Sequence, residues 1–169
     1  MQQLVYIAHG LPASGKSTWA NLVCETVPEF KRVNKDDLRA MLHPSQPWSR
    51  VHESATVRVR DATIVQLLLL GFSVIVDDTN IQPFHVRAIK TIATVFGARV
   101  TLFHFDVPVD TCIERDAARP EEDKVGAEVI RRMEDEMQTA MSLGWPEDLE
   151  VVVLGTDAVQ RLRQAVREQ

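Results

Sequence analysis

Residues 4–17 read Leu-Val-Tyr-Ile-Ala-His-Gly-Leu-Pro-Ala-Ser-Gly-Lys-Ser. The apolar residues 4–8 predict a short buried strand. Residues 10–17 fit the pattern G-x-x-x-x-G-K-[ST], in which glycines let successive backbone N–H groups wrap a polyphosphate at the start of the next helix. Residues 17–27 carry apolar side chains at spacings of three and four, which predicts that helix. A strand, this loop and a helix in succession predict a nucleoside triphosphate site.

The side chains of this loop have distinct predicted roles. Lys16 is expected to reach the β- and γ-phosphate oxygens, and the Ser17 hydroxyl is expected to ligate Mg²⁺. The residues that we predict to bind the nucleotide in and beside the loop are Gly10, Pro12, Ala13, Ser14, Gly15, Lys16, Ser17 and Thr18. We expect the bound nucleotide to be ATP, or another nucleoside triphosphate, together with Mg²⁺.

Beyond the loop, short apolar runs alternate with amphipathic stretches to the end of the sequence. The further predicted strands cover residues 32–34, 73–78, 99–105 and 149–154. The further predicted helices cover residues 36–42, 53–70, 83–96, 109–118, 126–142 and 157–169. Strands separated by helices predict an α/β fold, with a five-stranded parallel sheet that helices cover on both faces.

Length, charge and hydropathy limit the class of protein. The 169 residues, 45% of them hydrophobic, predict one globular domain over residues 1–169. The net charge of −5 disfavours a protein that coats nucleic acid non-specifically. The longest apolar stretch, residues 64–76, is too short to span a bilayer, and the N-terminus has no basic region of a signal peptide. We therefore expect a cytoplasmic protein without a membrane segment.

Two adjacent carboxylates, Asp77 and Asp78, stand at the end of the strand predicted over residues 73–78. A carboxylate at the end of a buried strand can organise a metal ion, and Asp78 is the better candidate because it enters the following loop. The alternative is that Asp78 only caps the turn that it begins.

A second acidic pair, Asp36 and Asp37, opens a short predicted helix together with Arg39. Carboxylates suit the N-terminus of a helix dipole, which is the structural explanation. The functional alternative is a general base that accepts a hydroxyl proton, with Arg39 holding a phosphate one turn on. Arg115 and Arg119 lie four residues apart on a later helix, where they either neutralise phosphate oxygens in the transition state or form a solvated basic face.

Taken together, these motifs resemble the polynucleotide 5′-hydroxyl kinase family, in particular the kinase module of the phage polynucleotide kinase–phosphatase. The resemblance covers residues 5–141 in matching order, and it rests on residues 10–19, 34–39, 78–80, 105–108 and the Arg115/Arg119 pair. It implies a P-loop kinase fold with the strand order 2-3-1-4-5 and an arginine-bearing lid around residues 115–126. It also implies an ATP- and Mg²⁺-dependent transfer to the 5′-OH end of DNA or RNA.

The same resemblance implies a role for each matching side chain. Asp36 would be the general base for the 5′-OH, and Arg39 would clamp the 3′-phosphate of the acceptor. Arg119 would be the lid arginine on the donor phosphates, with Arg115 as its neighbour. Asp78 matches the acid of the family's Asp-Thr-Asn motif.

The sequence also leaves alternatives open. It holds no Asp-x-Asp-Gly-Thr phosphatase motif, so we expect a kinase domain alone, with any end-healing phosphatase on another protein. A P-loop kinase for a small acceptor (a nucleoside, nucleotide or antibiotic) suits the net charge of −5, and a nucleotide-binding switch without transfer chemistry is a further possibility. Residues 44–60 match nothing in the family. Arg50, Arg58 and Arg60 could supply cations to the acceptor site, or could lie on a solvated helix.

Overall fold

Strands and helices alternate along residues 2–168, which are the residues that the computed structural model describes. The strands are β1 (Leu4–His9), β2 (Phe30–Val33), β3 (Ser73–Asp77), β4 (Arg99–Phe105) and β5 (Glu150–Leu154). The helices are α1 (Lys16–Thr26), α2 (Lys35–Leu42), α3 (Arg50–Leu69), α4 (Pro83–Val95), α5 (Val109–Ala117), α6 (Ala127–Ser142) and α7 (Ala158–Arg167). A short 3₁₀ turn, Glu121–Asp123, lies between α5 and α6.

The five strands form one parallel sheet in the order β2-β3-β1-β4-β5. The predicted α/β class and the strand order 2-3-1-4-5 are therefore confirmed. β3 is buried along its whole length, which explains why its sequence is a continuous apolar run rather than an alternating one. Within residues 2–168, no helix is both long and apolar enough to cross a membrane.

Helices pack on both faces of the sheet, as predicted. On one face α1 and α7 cover an aromatic cluster, in which Tyr6 stacks on Phe30 with ring centroids 4.6 Å apart. On the other face α3 and α4 bury Ile64 and Ile89 against the central strands. A third cluster joins α5 to α6, and Met137 of α6 packs in it.

The carboxyl ends of the parallel strands place the candidate residues together. β1 runs directly into the loop that begins at Gly10, and β3 ends at Asp77. Gly10 has a φ of 147°, and a Cβ atom there would lie 3.0 Å from the carbonyl oxygen of Phe105. The loop can pass this close to β4 only because residue 10 has no side chain.

Most elements agree with the prediction to within one or two residues, and three differences have a physical reason or were not foreseen. β2 begins at Phe30, two residues before the predicted start. The prediction missed these residues because the two charged residues in the middle of the strand interrupt its apolar pattern. α3 begins at Arg50 and not at residue 53, because the side chain of Ser49 caps it by accepting from the His52 N–H at 3.1 Å. The 3₁₀ turn at Glu121–Asp123 was not predicted.

Candidate active site

The phosphate loop connects β1 to α1 and is held in a strained, curled conformation. Ala13 has a φ of 60° and Gly15 a φ of 102°, so successive N–H groups can turn toward one point. Lys16 folds back onto this loop, where its Nζ donates to the carbonyl oxygen of Leu11 at 2.5 Å and to Ser14 Oγ at 3.2 Å. Burial lowers the pKa of Lys16 to about 8. A bound phosphate would replace these neutral acceptors with a charged one and favour the ammonium form.

Two cavities of similar size share Lys16 as a lining residue. The first, here called the α7 cavity, has a volume of about 280 Å³. Its walls are the phosphate loop, the end of β4, two lid arginines and the N-terminal part of α7. The lining residues are Ala13, Ser14, Gly15, Lys16, Ser17, Thr18, Phe105, Arg115, Arg119, Gly155, Thr156, Ala158, Val159, Gln160 and Arg163.

The second cavity, here called the α2 cavity, has a volume of about 290 Å³. It lies between the phosphate loop, the start of α2 and the end of β3. The lining residues are Pro12, Ala13, Lys16, Ser17, Asn34, Lys35, Asp36, Arg39, Asp77, Asp78, Thr79, Arg119, Val125 and Met133. Asp36 and Arg39, the predicted general base and the predicted phosphate clamp of the acceptor, therefore line one cavity.

Four residues line both cavities: Ala13, Lys16, Ser17 and Arg119. A group bound against the loop in the α7 cavity would thus lie beside a group bound in the α2 cavity, between two cations and a hydroxyl. Gly10, which was predicted to bind the nucleotide, lines neither cavity. Its position instead permits the close contact with β4.

Asp36 and Arg39 are brought to the α2 cavity by the start of α2. Asn34 caps this helix by accepting from the backbone N–H groups of Asp36 and Asp37 at 2.8 and 3.0 Å. The side chain of Asp36 contacts Arg39 Nη1 and faces the cavity. The side chain of Asp37 instead pairs with Arg32 at 2.5 Å and does not line the cavity. The two adjacent carboxylates therefore have different surroundings.

Glu53, in the first turn of α3, pairs with Arg39, and no sequence motif indicates this contact. Arg39 Nε donates to Glu53 Oε2 at 2.7 Å, and Arg39 Nη2 donates to Oε1 at 3.0 Å. Hydrogen bonding from Arg39 lowers the pKa of Glu53 to about 2. With the Asp36 contact, three of the five guanidinium N–H groups are used, so one on each terminal nitrogen stays available to an incoming anion.

This pairing makes a prediction about acid stability. Since the pKa of Glu53 is lowered from 4.5 to about 2, its stabilisation is complete above pH 4.5 and is lost as the pH falls toward 2. We expect Glu53→Gln to lower the free energy of unfolding by about 1 kcal/mol at pH 7, because the pair is only partly buried. Urea unfolding at pH 7, 4.5 and 3.5 should show the gap to wild type narrowing below pH 4.5. Glu25→Gln, on the exposed side of α1, is the control, and a gap independent of pH would contradict the assignment.

Asp77, the last residue of β3, and Asp78, which follows it, are buried and line the α2 cavity. Asp77 accepts from Arg32 Nε at 2.6 Å, and Asp78 Oδ1 accepts from the Lys35 N–H at 2.8 Å. Burial raises the pKa of Asp78, and Arg60, itself fully buried, lies 3.5 Å from Asp78 Oδ2. Within residues 2–168, one oxygen of each carboxylate accepts no hydrogen bond.

These oxygens fit the demands of Mg²⁺. Mg²⁺ is usually bound by one or two carboxylates, with waters and substrate phosphates completing an octahedron. Ser17, Asp77 and Asp78 line the same cavity and could supply such ligands. No group of three or more His, Cys, Asp or Glu residues in residues 2–168 could hold a metal by itself, so the remaining ligands would come from the nucleotide and water.

The two lid arginines differ in what they contact. Arg115 Nη1 lies 3.5 Å from the carbonyl oxygens of Ala13 and Ser14, and its Nη2 lies 3.4 Å from that of Thr156. It joins the phosphate loop to the loop before α7. Arg119 lines both cavities, and its nearest carboxylate contact is 3.5 Å long. Arg119 is therefore the less constrained of the two cations.

None of the three arginines that could supply cations to the acceptor site, Arg50, Arg58 and Arg60, lines the α2 cavity. Arg60 is fully buried and paired with Asp61 and Asp78, because α3 packs this side chain against the sheet. Arg50 and Arg58 line a separate shallow depression on α3 that shares no residue with the α2 cavity.

A phosphate loop between two cavities, on a parallel sheet of this strand order, defines a P-loop kinase. The chain belongs to the AAA_33 family, whose model, described as an AAA domain, matches residues 5–143. That family membership implies a phosphotransferase that binds ATP or another nucleoside triphosphate.

Individual relatives share this unit. An L-seryl-tRNA(Sec) kinase of Methanococcus maripaludis is 28% identical over 138 residues, which cover 80% of this chain and 53% of the relative. A chain in the structure of the Pnkp1/Rnl/Hen1 RNA repair complex has a TM-score of 0.74 and 26% identity, over 84% of this chain and 46% of that chain. The chain thus spans about half the length of these two relatives. The APS kinase CysC of Mycobacterium tuberculosis, with AMPPNP and APS bound, has the same fold, with a TM-score of 0.64 at 17% identity over 99% of each chain.

Proposed function

We propose that the chain is an ATP-dependent polynucleotide 5′-hydroxyl kinase. The observation that supports it is the pair formed by Asp36 and Arg39 in the α2 cavity, beside Lys16 and Arg119. A carboxylate next to a guanidinium with free N–H groups suits an acceptor that offers a hydroxyl and, nearby, a phosphate.

The donor would lie across the phosphate loop. Its triphosphate would accept hydrogen bonds from the backbone N–H groups of residues 13–18 and from the ammonium of Lys16. Its base would lie against the loop before α7 and the first turns of α7, where Thr156, Val159 and Gln160 line the α7 cavity. ATP is the proposed donor, and any other nucleoside triphosphate is the alternative.

In the proposed reaction the acceptor oxygen attacks the γ-phosphorus. The bond from that phosphorus to the bridging β–γ oxygen breaks, ADP leaves, and the hydroxyl proton passes to a carboxylate oxygen of Asp36. Lys16 and Arg119 neutralise charge on the transferred group, because both reach the junction of the two cavities. Ser17 and Asp78 would hold Mg²⁺, which would supply positive charge to neutralise the phosphate oxygens.

The relatives support a nucleic acid as the acceptor without deciding which hydroxyl is used. One is named as a kinase of seryl-tRNA, and one lies in an RNA repair complex. A hydroxyl of an aminoacyl group on tRNA is therefore the second candidate acceptor. A small molecule is the third candidate acceptor. The net charge of −5 favours it over a polynucleotide bound along an extended surface.

We further propose that residues 1–169 act as a kinase domain alone. Since the sequence holds no Asp-x-Asp-Gly-Thr motif, removal of phosphate from nucleic acid ends would fall to another protein or domain.

The acceptor is tested by the phosphate preference that Arg39 should create. A charge-assisted bidentate contact contributes about 1.5–3 kcal/mol, so a nucleoside 3′-phosphate should exceed the nucleoside about ten- to two-hundredfold in kcat/KM. Arg39→Ala should erase most of this preference and leave ATP affinity unchanged. The measurement is kcat/KM with a nucleoside, its 3′-phosphate, a short oligonucleotide with a 5′-OH, and seryl-tRNA.

The control is Arg50→Ala, which removes an exposed arginine that lies outside the α2 cavity. It should keep the wild-type preference. Equal wild-type rates on nucleoside and 3′-phosphate would point to a small-acceptor kinase, and transfer to seryl-tRNA alone would select the second candidate.

A further inference from the structure

The lid between α5 and α6 is closed at its base by one carboxylate. Asp116, near the end of α5, is 2% exposed. Its Oδ1 and Oδ2 each lie 3.1 Å from the backbone N of Val125, and Oδ2 also accepts from the N–H of Gly126 at 2.9 Å. The side chain therefore bridges residues nine and ten positions further along the chain.

Two backbone N–H groups at the start of α6 are satisfied by this contact. Gly126 is the N-cap residue of α6, with a φ of 92°, so its amide and that of Val125 have no acceptor within the helix. Hydrogen bonds to a carboxylate are about twice as strong as neutral ones, and a buried carboxylate without donors would be costly. The hydrogen bonds of the Asp116 side chain therefore hold the two ends of the lid together.

The closed lid carries groups that face both cavities. Arg119 follows Asp116 by three residues, and its backbone N–H donates to the carbonyl oxygen of Asp116 at 3.1 Å. Val125, held at the other end, lines the α2 cavity, whereas Arg119 lines both cavities. The main-chain carbonyl of Asp116 thus holds the Arg119 end of the lid, and the side chain of the same residue holds the Val125 end.

The Arg119 guanidinium is held far less firmly than the lid itself. Its Nη1 lies 3.5 Å from Asp116 Oδ1, at the outer limit of a hydrogen bond. The guanidinium can therefore leave Asp116 and bind phosphate oxygens, while the Asp116 carboxylate keeps its hydrogen bonds from the N–H groups of Val125 and Gly126. Asp116 keeps Arg119 near the cavities without competing strongly for it.

We propose that Asp116 is a positioning residue that fastens both ends of the lid and thereby sets where Arg119 meets the transferred phosphate. The expected effect of Asp116 on turnover rests on the proposed kinase function. Its hydrogen bonds to the two ends of the lid do not depend on which acceptor is used. Asp116 itself lines neither cavity, so it is not expected to touch substrate.

The first test measures the lid directly by amide hydrogen exchange. In Asp116→Asn, the side-chain NH₂ group cannot accept and one of the two acceptor atoms is lost, so exchange in the segment 118–126 should rise about tenfold or more. The control is Asp110→Asn, an exposed acid of the same helix that pairs with Arg131 at 3.0 Å and not with the lid. Exchange in Asp110→Asn should match wild type. Equal exchange in the two variants would overturn the proposal, whatever the acceptor proves to be.

The second test separates positioning from a general loss of structure. We expect Asp116→Asn to lower kcat about ten- to hundredfold while KM for ATP changes less than about threefold, since Arg119 acts mainly in the transition state. In an Arg119→Ala background, Asp116→Asn should add less than about threefold, because the side chain that it positions is gone. The same loss of kcat in both backgrounds would show that Asp116 does not act through Arg119. If no acceptor of the panel is phosphorylated, the proposed function fails and the exchange result still decides the role of Asp116.

Discussion

Lys16→Ala should reduce phosphoryl transfer at least about a hundredfold, which corresponds to about 2.7 kcal/mol of lost transition-state stabilisation. The side chain belongs to the phosphate loop, is buried, and lines both cavities. Its contacts within the protein are to neutral oxygens of Leu11 and Ser14, so its removal leaves no buried charge without a partner. The effect should therefore fall on transfer rather than on folding. Steady-state turnover with saturating ATP, alongside far-UV circular dichroism, measures both.

The matched control is Arg87→Ala, which removes an exposed cation from α4. It should keep wild-type turnover within about twofold, since an isolated surface charge contributes little. Near-normal turnover of a folded Lys16→Ala protein would refute the assignment of the phosphate loop as the donor site.

Asp36→Asn should abolish most of the transfer while leaving the fold and ATP binding intact. The amide keeps the size of the carboxylate but cannot accept the hydroxyl proton, so the loss should reach about a hundred- to ten-thousandfold. The start of α2 should persist, because its capping oxygen comes from Asn34 and not from Asp36. Rate measurements over a range of acceptor concentrations and calorimetric titration with ATP separate the two effects.

Asp37→Asn provides a control at the adjacent position. Asp37 pairs with Arg32 and points away from the α2 cavity, so its substitution should change turnover less than about threefold. If Asp37→Asn loses activity and Asp36→Asn retains it, the choice between the two carboxylates is reversed.

The sheet and the phosphate loop could be predicted because their signals are local. The run from Leu4 to Ser17 contains the strand, the glycines and the lysine within one short segment, and a parallel sheet brings the carboxyl ends of its strands to one edge. Asp36 and Asp78 could be placed near Lys16 on that ground alone. The structure brings all three to one cavity.

What surrounds these residues could not be predicted, because it depends on the packing of one helix against another. Glu53 reaches Arg39 only because the first turn of α3 lies against α2, and nothing in the intervening residues indicates that contact. The sequence indicates Arg60 as a cation either of the acceptor site or of a solvated helix, yet Arg60 is fully buried and contacts Asp78. Its burial follows from the rotation of the helix about its axis, which charge and spacing alone do not specify.

The α7 cavity joins parts of the chain that are under different constraints. The family model ends at residue 143, whereas one wall of this cavity comes from residues 155–163. None of these wall residues lines the α2 cavity. In the proposed function the donor base lies against this wall, so substitutions there would change which base is accepted without touching Lys16, Asp36 or Asp78. Preference for a particular nucleoside triphosphate would then diverge between relatives that share the same proposed transfer chemistry.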